Sequence, residues 1–145
     1  MYQSKPYALF FKENKKHYNG VVKYLDPQST DSILEIGCAR GFLTKDIQEI
    51  APKTYGIDMN EEAVAEAVTD GLQVMSAENL RFPDESFDKV YSFHTIEHIP
   101  DAPLAFSEME RVLRPGGRLL LGYPAEFIRG LFALRSAWTL RKDFR

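Results

Sequence analysis

The chain has a single cysteine, Cys38, among its 145 residues. One thiol cannot close an intramolecular disulfide or supply a site built from several thiolates, which fits a reducing compartment. Long apolar runs are missing as well. No stretch approaches the roughly 18 uninterrupted apolar residues of a membrane-spanning helix, and the N-terminal segment MYQSKPYALFFKENKKHY lacks the apolar core of a signal peptide. A cytoplasmic protein is the expectation. Excess charge is small, −3 overall, so no nucleic-acid partner held by phosphate contacts is expected. Internal repeats and low-complexity stretches are absent too.

What is present suffices for one domain. A chain of this length with 44% hydrophobic residues can bury about two-thirds of its unfolded surface. The charge is distributed unevenly: residues 1–25 carry +4, residues 129–145 carry +4, and a net −11 lies between them. Two solvated helix faces explain the basic ends, and a surface for anionic substrates or peripheral membrane contact is the sharper alternative. The single domain divides into an N-terminal helical cap (1–28), a core (29–124) and a C-terminal helical segment (125–145).

Strand-like and helix-like segments alternate. SILEIG (32–37) is a short apolar run ending in glycine, as in a strand buried on both faces. Phe42, Leu43, Ile47 and Ile50 follow at helical spacing until Pro52. TYGID (54–58) reads as the second strand. Asn60 then caps a helix with Glu61 and Glu62 in its first turn, expected to run through AVAEAV to Gly71. LQVMS (72–76), DKVYSFH (88–94) and RLLLGY (118–123) supply strands three to five. A Pro-containing loop, AENLRFPDES, precedes the fourth strand. A helix capped by Asp101 and broken by Arg114-Pro115-Gly116-Gly117 precedes the fifth. The fold class is α/β: a Rossmann-like, doubly wound, mostly parallel sheet of five strands with helices on both faces.

Ligands of such sheets lie beyond the carboxyl ends of the strands, near the point where strand order reverses. Gly37 to Gly41 follow strand one, Asp58 ends strand two, Ser76 to Glu78 follow strand three, and His94 to His98 follow strand four. All four clusters fall on one edge. In EIGCARG, Gly37 lets the chain leave its strand sharply and Gly41 opens a helix, so backbone is exposed to a nucleotide-like ligand. The dinucleotide pattern GxGxxG would place glycines at 37, 39 and 42, where this chain has Gly37, Ala39 and Phe42. That spacing argues against a nicotinamide-dependent oxidoreductase.

In ILEIGCARG, YGIDMN, SAENLRFPDESFDKV, FHTIEHIPD and RVLRPGGRLLL, taken in that order, the chain resembles the class I S-adenosylmethionine-dependent methyltransferases, closest to their small-molecule branch. The resemblance covers about residues 30–125. It implies that S-adenosylmethionine is the cofactor and S-adenosylhomocysteine the product. Glu35, Gly37, Cys38, Ala39 and Gly41 would surround its methionine part. Asp58, with Met59 beside it, would hold the ribose, and an acidic group ending strand two can accept bonds from both ribose hydroxyls. Ser76, Ala77 and Glu78 would border the adenine, and Phe93 and His94 the reacting end. Two positions depart from the family pattern: Ala39 stands where glycine is common, and Ser76 where Asp or Asn is common.

HTIEH also fits the zinc-protease pattern HxxEH, but it follows a strand and meets Pro100 and Pro103 at once, so no metal is expected. The resemblance instead puts this segment near the reacting methyl group. His94 and His98 are then candidate bases, since imidazole titrates near pH ~6.5. Methyl transfer to a small-molecule or lipid-like acceptor is the implied function. A non-catalytic cofactor-binding domain or truncated pseudoenzyme is the alternative. AEFIRGLFALRSAWTLRKDFR shows no clear strand, whereas the family sheet has two more. A short chain with an uncovered strand five is therefore expected to dimerise or to cover that edge with a helix. Tyr7, Phe10, Phe11, Tyr18, Phe127, Phe132 and Trp138 are the aromatics available to pack the core or line an acceptor pocket.

Overall fold

Side chains alternate faces along a strand with a period of two, and β1 (Ser32–Ile36) is apolar at Ile33, Leu34 and Ile36. The computed structural model, which describes residues 15–122 and 139–141, shows both of its faces covered. Ile33 packs with Leu43, Ile47 and Tyr91, while Leu34 and Ile36 pack with Val90, Met109 and Leu121 on the opposite face. β2 (Lys53–Asp58), β3 (Leu72–Val74), β4 (Phe87–Phe93) and β5 (Leu113–Gly122) complete the five parallel strands that the pattern predicts. A further strand, β6 (Thr139–Arg141), runs antiparallel to β5, so the sheet order is β3-β2-β1-β4-β5-β6.

The first helical segment, α1, covers residues 15–20 among those described and runs on into the π-helical turn Val21–Leu25. Lys89 of β4 is buried beneath the end of that turn, donating to the Asp26 carbonyl and pairing with Asp31. The buried amine thus has two oxygen partners, which a charge inside a protein requires, and α1 is fastened to the sheet. α2 (Phe42–Gln48), α3 (Glu61–Ala65) and α4 (Ala102–Val112) follow. Asn60 accepts from the Ala63 N–H at 3.1 Å and Asp101 from the Leu104 N–H at 3.0 Å, the two caps the sequence indicates.

Three expectations are corrected. α3 stops at Ala65 instead of reaching Gly71, because the following turn is drawn towards α2: the Val68 N–H donates to the Arg40 carbonyl and the Thr69 hydroxyl to Gln48. Leu113, expected to end α4, already lies in β5 opposite Phe87, and the register shifts before Lys89 meets Arg118. Finally, 125–145 is not wholly helical, and the edge of β5 is covered from within the chain: Thr139 lies opposite Leu120 and Arg141 opposite Arg118. β6 pairs antiparallel with β5, whose ladder groups define it. Among the described residues no helix is long and apolar enough to cross a membrane.

Candidate functional site

Register brings the strand ends into one row. Ile36 lies opposite both Ile57 and Ser92, and Asp58 opposite Val74. The residues leaving β1 to β4 therefore emerge at one edge, on either side of the reversal between β1 and β4. A cavity of about 680 Å³ opens there.

Its floor is the turn after β1. The Gly37 and Cys38 N–H groups both donate to the Ile57 carbonyl, at 2.8 and 2.9 Å, and the Ala39 N–H donates to Asp58 Oδ2 at 2.8 Å. Asp58 Oδ1 accepts from the Asn60 N–H at 2.8 Å. A carboxylate has about four acceptor sites, so Asp58 keeps capacity for two more donors on the cavity side. Gly37 has φ +80°, and a Cβ there would stand 2.0 Å from Thr95 Oγ1; only glycine lets the β1 turn pass so close to the loop after β4. Ala39 adopts φ +48°, a left-handed conformation that costs a non-glycine residue roughly 1–2 kcal/mol and that its bond to Asp58 helps to hold. Gly41 differs from expectation: it does not line the cavity. It sits at φ +82° against Leu72, where a Cβ would meet Cδ1 at 2.5 Å, and its role is to start α2.

Alternation along β1 turns Glu35 towards α2. There its Oε2 accepts from Thr44 Oγ1 at 2.5 Å and from the Tyr91 hydroxyl at 2.9 Å, Tyr91 being its register neighbour on β4. Burial pushes its carboxyl up to about 7, against the opposing pull of those two bonds. It borders the cavity from within the core. Burial likewise pushes the Cys38 thiol well above its ordinary value, so the sulfur beside the cavity stays neutral.

Ser76, Ala77 and Glu78 line the wall beyond β3. Ser76 Oγ accepts from the Glu78 N–H at 3.1 Å, and Glu78 Oε1 accepts from the Asp101 N–H at 2.8 Å. Glu78 thereby ties this loop to the start of α4 rather than standing in solvent. Met59 is at the rim, 67% exposed. Phe93, His94 and His98 line the remaining side. HTIEH is not a helical zinc motif: only Ile96–His98 is helical, as a 3-10 turn, and His94 precedes it at φ +51°.

His17, Arg40 and Thr95 also line the cavity, positions for which the motifs imply no role. His17 reaches the cavity from α1 and stacks on Phe93, with ring centroids 4.5 Å apart and planes 3° from parallel; its ring lies 5.1 Å from that of His94. All three histidines of the chain line this cavity. No periodicity points from residue 17 to residue 94; only packing of α1 on the sheet brings them together. Tyr18 packs on the core beside Ile33 and Tyr91, whereas Tyr7, Phe10, Phe11, Phe127, Phe132 and Trp138 lie outside the described residues.

Comparison with known proteins shows the family of the chain. A family profile described as a methyltransferase domain matches residues 34–121. The chain is 35% identical over 103 residues to the demethylmenaquinone methyltransferase of Symbiobacterium thermophilum, covering 62% of this chain and 41% of that protein. It is 30% identical over 110 residues to the 27-O-demethylrifamycin SV methyltransferase of Amycolatopsis mediterranei, covering 63% and 38%. The crystal structure of the YcgJ protein from Bacillus subtilis superposes with a TM-score of 0.68 at 28% identity, over 73% of this chain and 50% of that one. The chain thus spans about two-fifths of the length of the curated relatives it matches.

Proposed function

The chain belongs to the class I S-adenosylmethionine-dependent methyltransferases, and on that premise we propose that this cavity binds S-adenosylmethionine and serves methyl transfer to a small-molecule acceptor. The observation that carries the reading is Asp58: a carboxylate at the end of β2, at the mouth of the β1 turn, anchored by two backbone N–H groups. Its remaining acceptor sites suit the two hydroxyls of a ribose. Gly37, Cys38 and Ala39 leave backbone rather than bulky side chains beside the methionine part, and Glu35 offers a carboxylate to a cationic ligand from below. Ser76, Ala77 and Glu78 border the base, and Met59 closes over the ribose from the rim. Phe93 and His94 face the reacting end, with His94 a better-placed base than His98, which is 78% exposed.

The bound cofactor supplies an activated methyl group on a sulfonium that is already a good leaving group. The protein's part is accordingly to align acceptor with methyl group and to exclude water, both positioning effects. A lipid-like or quinone-like acceptor fits the aromatic surface of Phe93 and His17 beside the site. The relatives named for demethylmenaquinone and rifamycin substrates support a small-molecule acceptor without selecting one.

Calorimetric titration with S-adenosylhomocysteine tests the cofactor assignment. Wild type is expected to bind, and Asp58→Asn to bind at least tenfold more weakly, since bonds to a charged group are worth about 1.5–3 kcal/mol each. Absence of binding by folded wild type, or undiminished affinity in the variant, would remove this reading.

A further inference from the structure

Glu97 has no part in the pocket as assigned above. It lies in the 3-10 turn Ile96–His98 with its side chain only 11% exposed. Its Oε2 is buried and has no hydrogen-bond partner among the described residues. Buried carboxylate oxygens are almost always satisfied, and an exception calls for an explanation in function. Oε1 stands 3.8 Å from His94 Nδ1 and 4.0 Å from His98 Nε2. His17 packs beside His94 from α1, and Glu78, on the loop after β3, lines the same cavity as the two imidazoles. A second irregularity adjoins: His94 is a non-glycine residue at φ +51°, pinned there by its N–H bond of 2.8 Å to the Gly122 carbonyl. Such backbone strain persists where surrounding structure imposes it, and it gathers at functional sites.

We propose that Glu97 is a positioning residue that orients His94 for an acceptor carrying an acidic hydroxyl, a phenol or enol. This rests on the methyl-transfer reading above. The 3.8 Å separation is longer than a hydrogen bond; catalytic pairs commonly tighten only when the reactants are bound. With Glu97 accepting from Nδ1–H, the imidazole is held in the tautomer whose Nε2 is the acceptor atom. The hydroxyl oxygen then bonds to the methyl carbon as the sulfur–carbon bond breaks, its electron pair remaining on sulfur, and the hydroxyl proton passes to Nε2. The resulting imidazolium faces the Glu97 carboxylate, whose nearest ionisable neighbours in the turn are imidazoles. An amine acceptor needs none of this, because its neutral form already carries a nucleophilic lone pair. A phenol or enol loses a proton that imidazole can accept.

Ring-nitrogen NMR of histidine-labelled protein saturated with S-adenosylhomocysteine tests the proposal. Wild type is expected to show His94 as the Nδ1–H tautomer, Glu97→Gln to shift it towards Nε2–H, and Glu97→Asp to restore part of the difference. Affinity for S-adenosylhomocysteine should stay within twofold throughout, which also reports that the variants are folded. Catechol added to the wild-type complex should move the His94 Nε2 resonance, and benzylamine should not. An unchanged tautomer in Glu97→Gln, or a wild type already in the Nε2–H form, would overturn the role of Glu97. No response to catechol, or an equal response to benzylamine, would overturn the acceptor class. Failure of wild type to bind S-adenosylhomocysteine would instead strike the underlying cofactor reading.

Discussion

Glu35 shows what one residue's chemistry becomes once a strand decides where it points. As a sequence letter it belongs to a turn motif beside a ligand, but alternation along β1 places it against Thr44 and Tyr91, inside the core. Burial raises its folded-state value from 4.5 to about 7. The raised value means that its contribution to stability is full below the ordinary carboxylate range and is lost as pH rises from there through about 7. The shift corresponds to a penalty on the order of 3 kcal/mol for the fully ionised, ligand-free protein. Glu35→Gln should therefore become more stable relative to wild type as pH goes from 5 to 8 in thermal unfolding without ligand. A stability difference that does not change with pH would show that this carboxyl does not titrate in that window. Ala39 and Asp58 are paired at the same scale: the left-handed alanine is tolerable because its N–H has a carboxylate to meet.

Among the elements, α4 carries the clearest packing consequence. Ala105, Met109 and Val112 are fully buried against β1, β4 and β5, following the apolar stripe in the sequence. Glu108 and Arg111 on the same helix hold the loop after β3: Glu108 accepts from the Leu80 N–H at 2.7 Å, and Arg111 donates to the Leu80 and Phe82 carbonyls at 2.7 and 2.8 Å. The wall bearing Ser76 to Glu78 is thus fixed from a helix remote in sequence. Met109→Ala should cost about 2–5 kcal/mol through the cavity it leaves, lowering the melting temperature by roughly 5–15 °C. A loss under about 1 kcal/mol would mean that α4 is not packed as described. Four strands, α2, α4 and both caps were legible from their own patterns, and the short β3 from its place between Gly71 and the loop that follows. β6 and the early end of α3 were not, because they depend on partners elsewhere, the free ladder groups of β5 and the Arg40 carbonyl.

For the molecule as a whole, ligand binding and folding should be linked, since the cavity is assembled from the ends of four strands and the side of α1. A ligand at a hundred times its dissociation constant stabilises the native state by about 2.7 kcal/mol. S-adenosylhomocysteine should accordingly raise the melting temperature by roughly 5–10 °C, and NADH at equal concentration should not. A shift with NADH alone would favour the dinucleotide reading that the glycine spacing rejects. By itself the sequence determined the alternation of strands and helices, and with it the single edge where Gly37, Asp58, Ser76 and His94 must emerge, because period and turn chemistry are local properties. Tertiary structure alone decided that Glu35 meets Thr44 and Tyr91, that Gly41 stands behind the turn, and that His17 joins His94 across 77 positions of sequence. It also decided that Glu97 is buried with one oxygen unmatched. Orientation, burial and the meeting of distant residues belong to packing, and no local pattern encodes them.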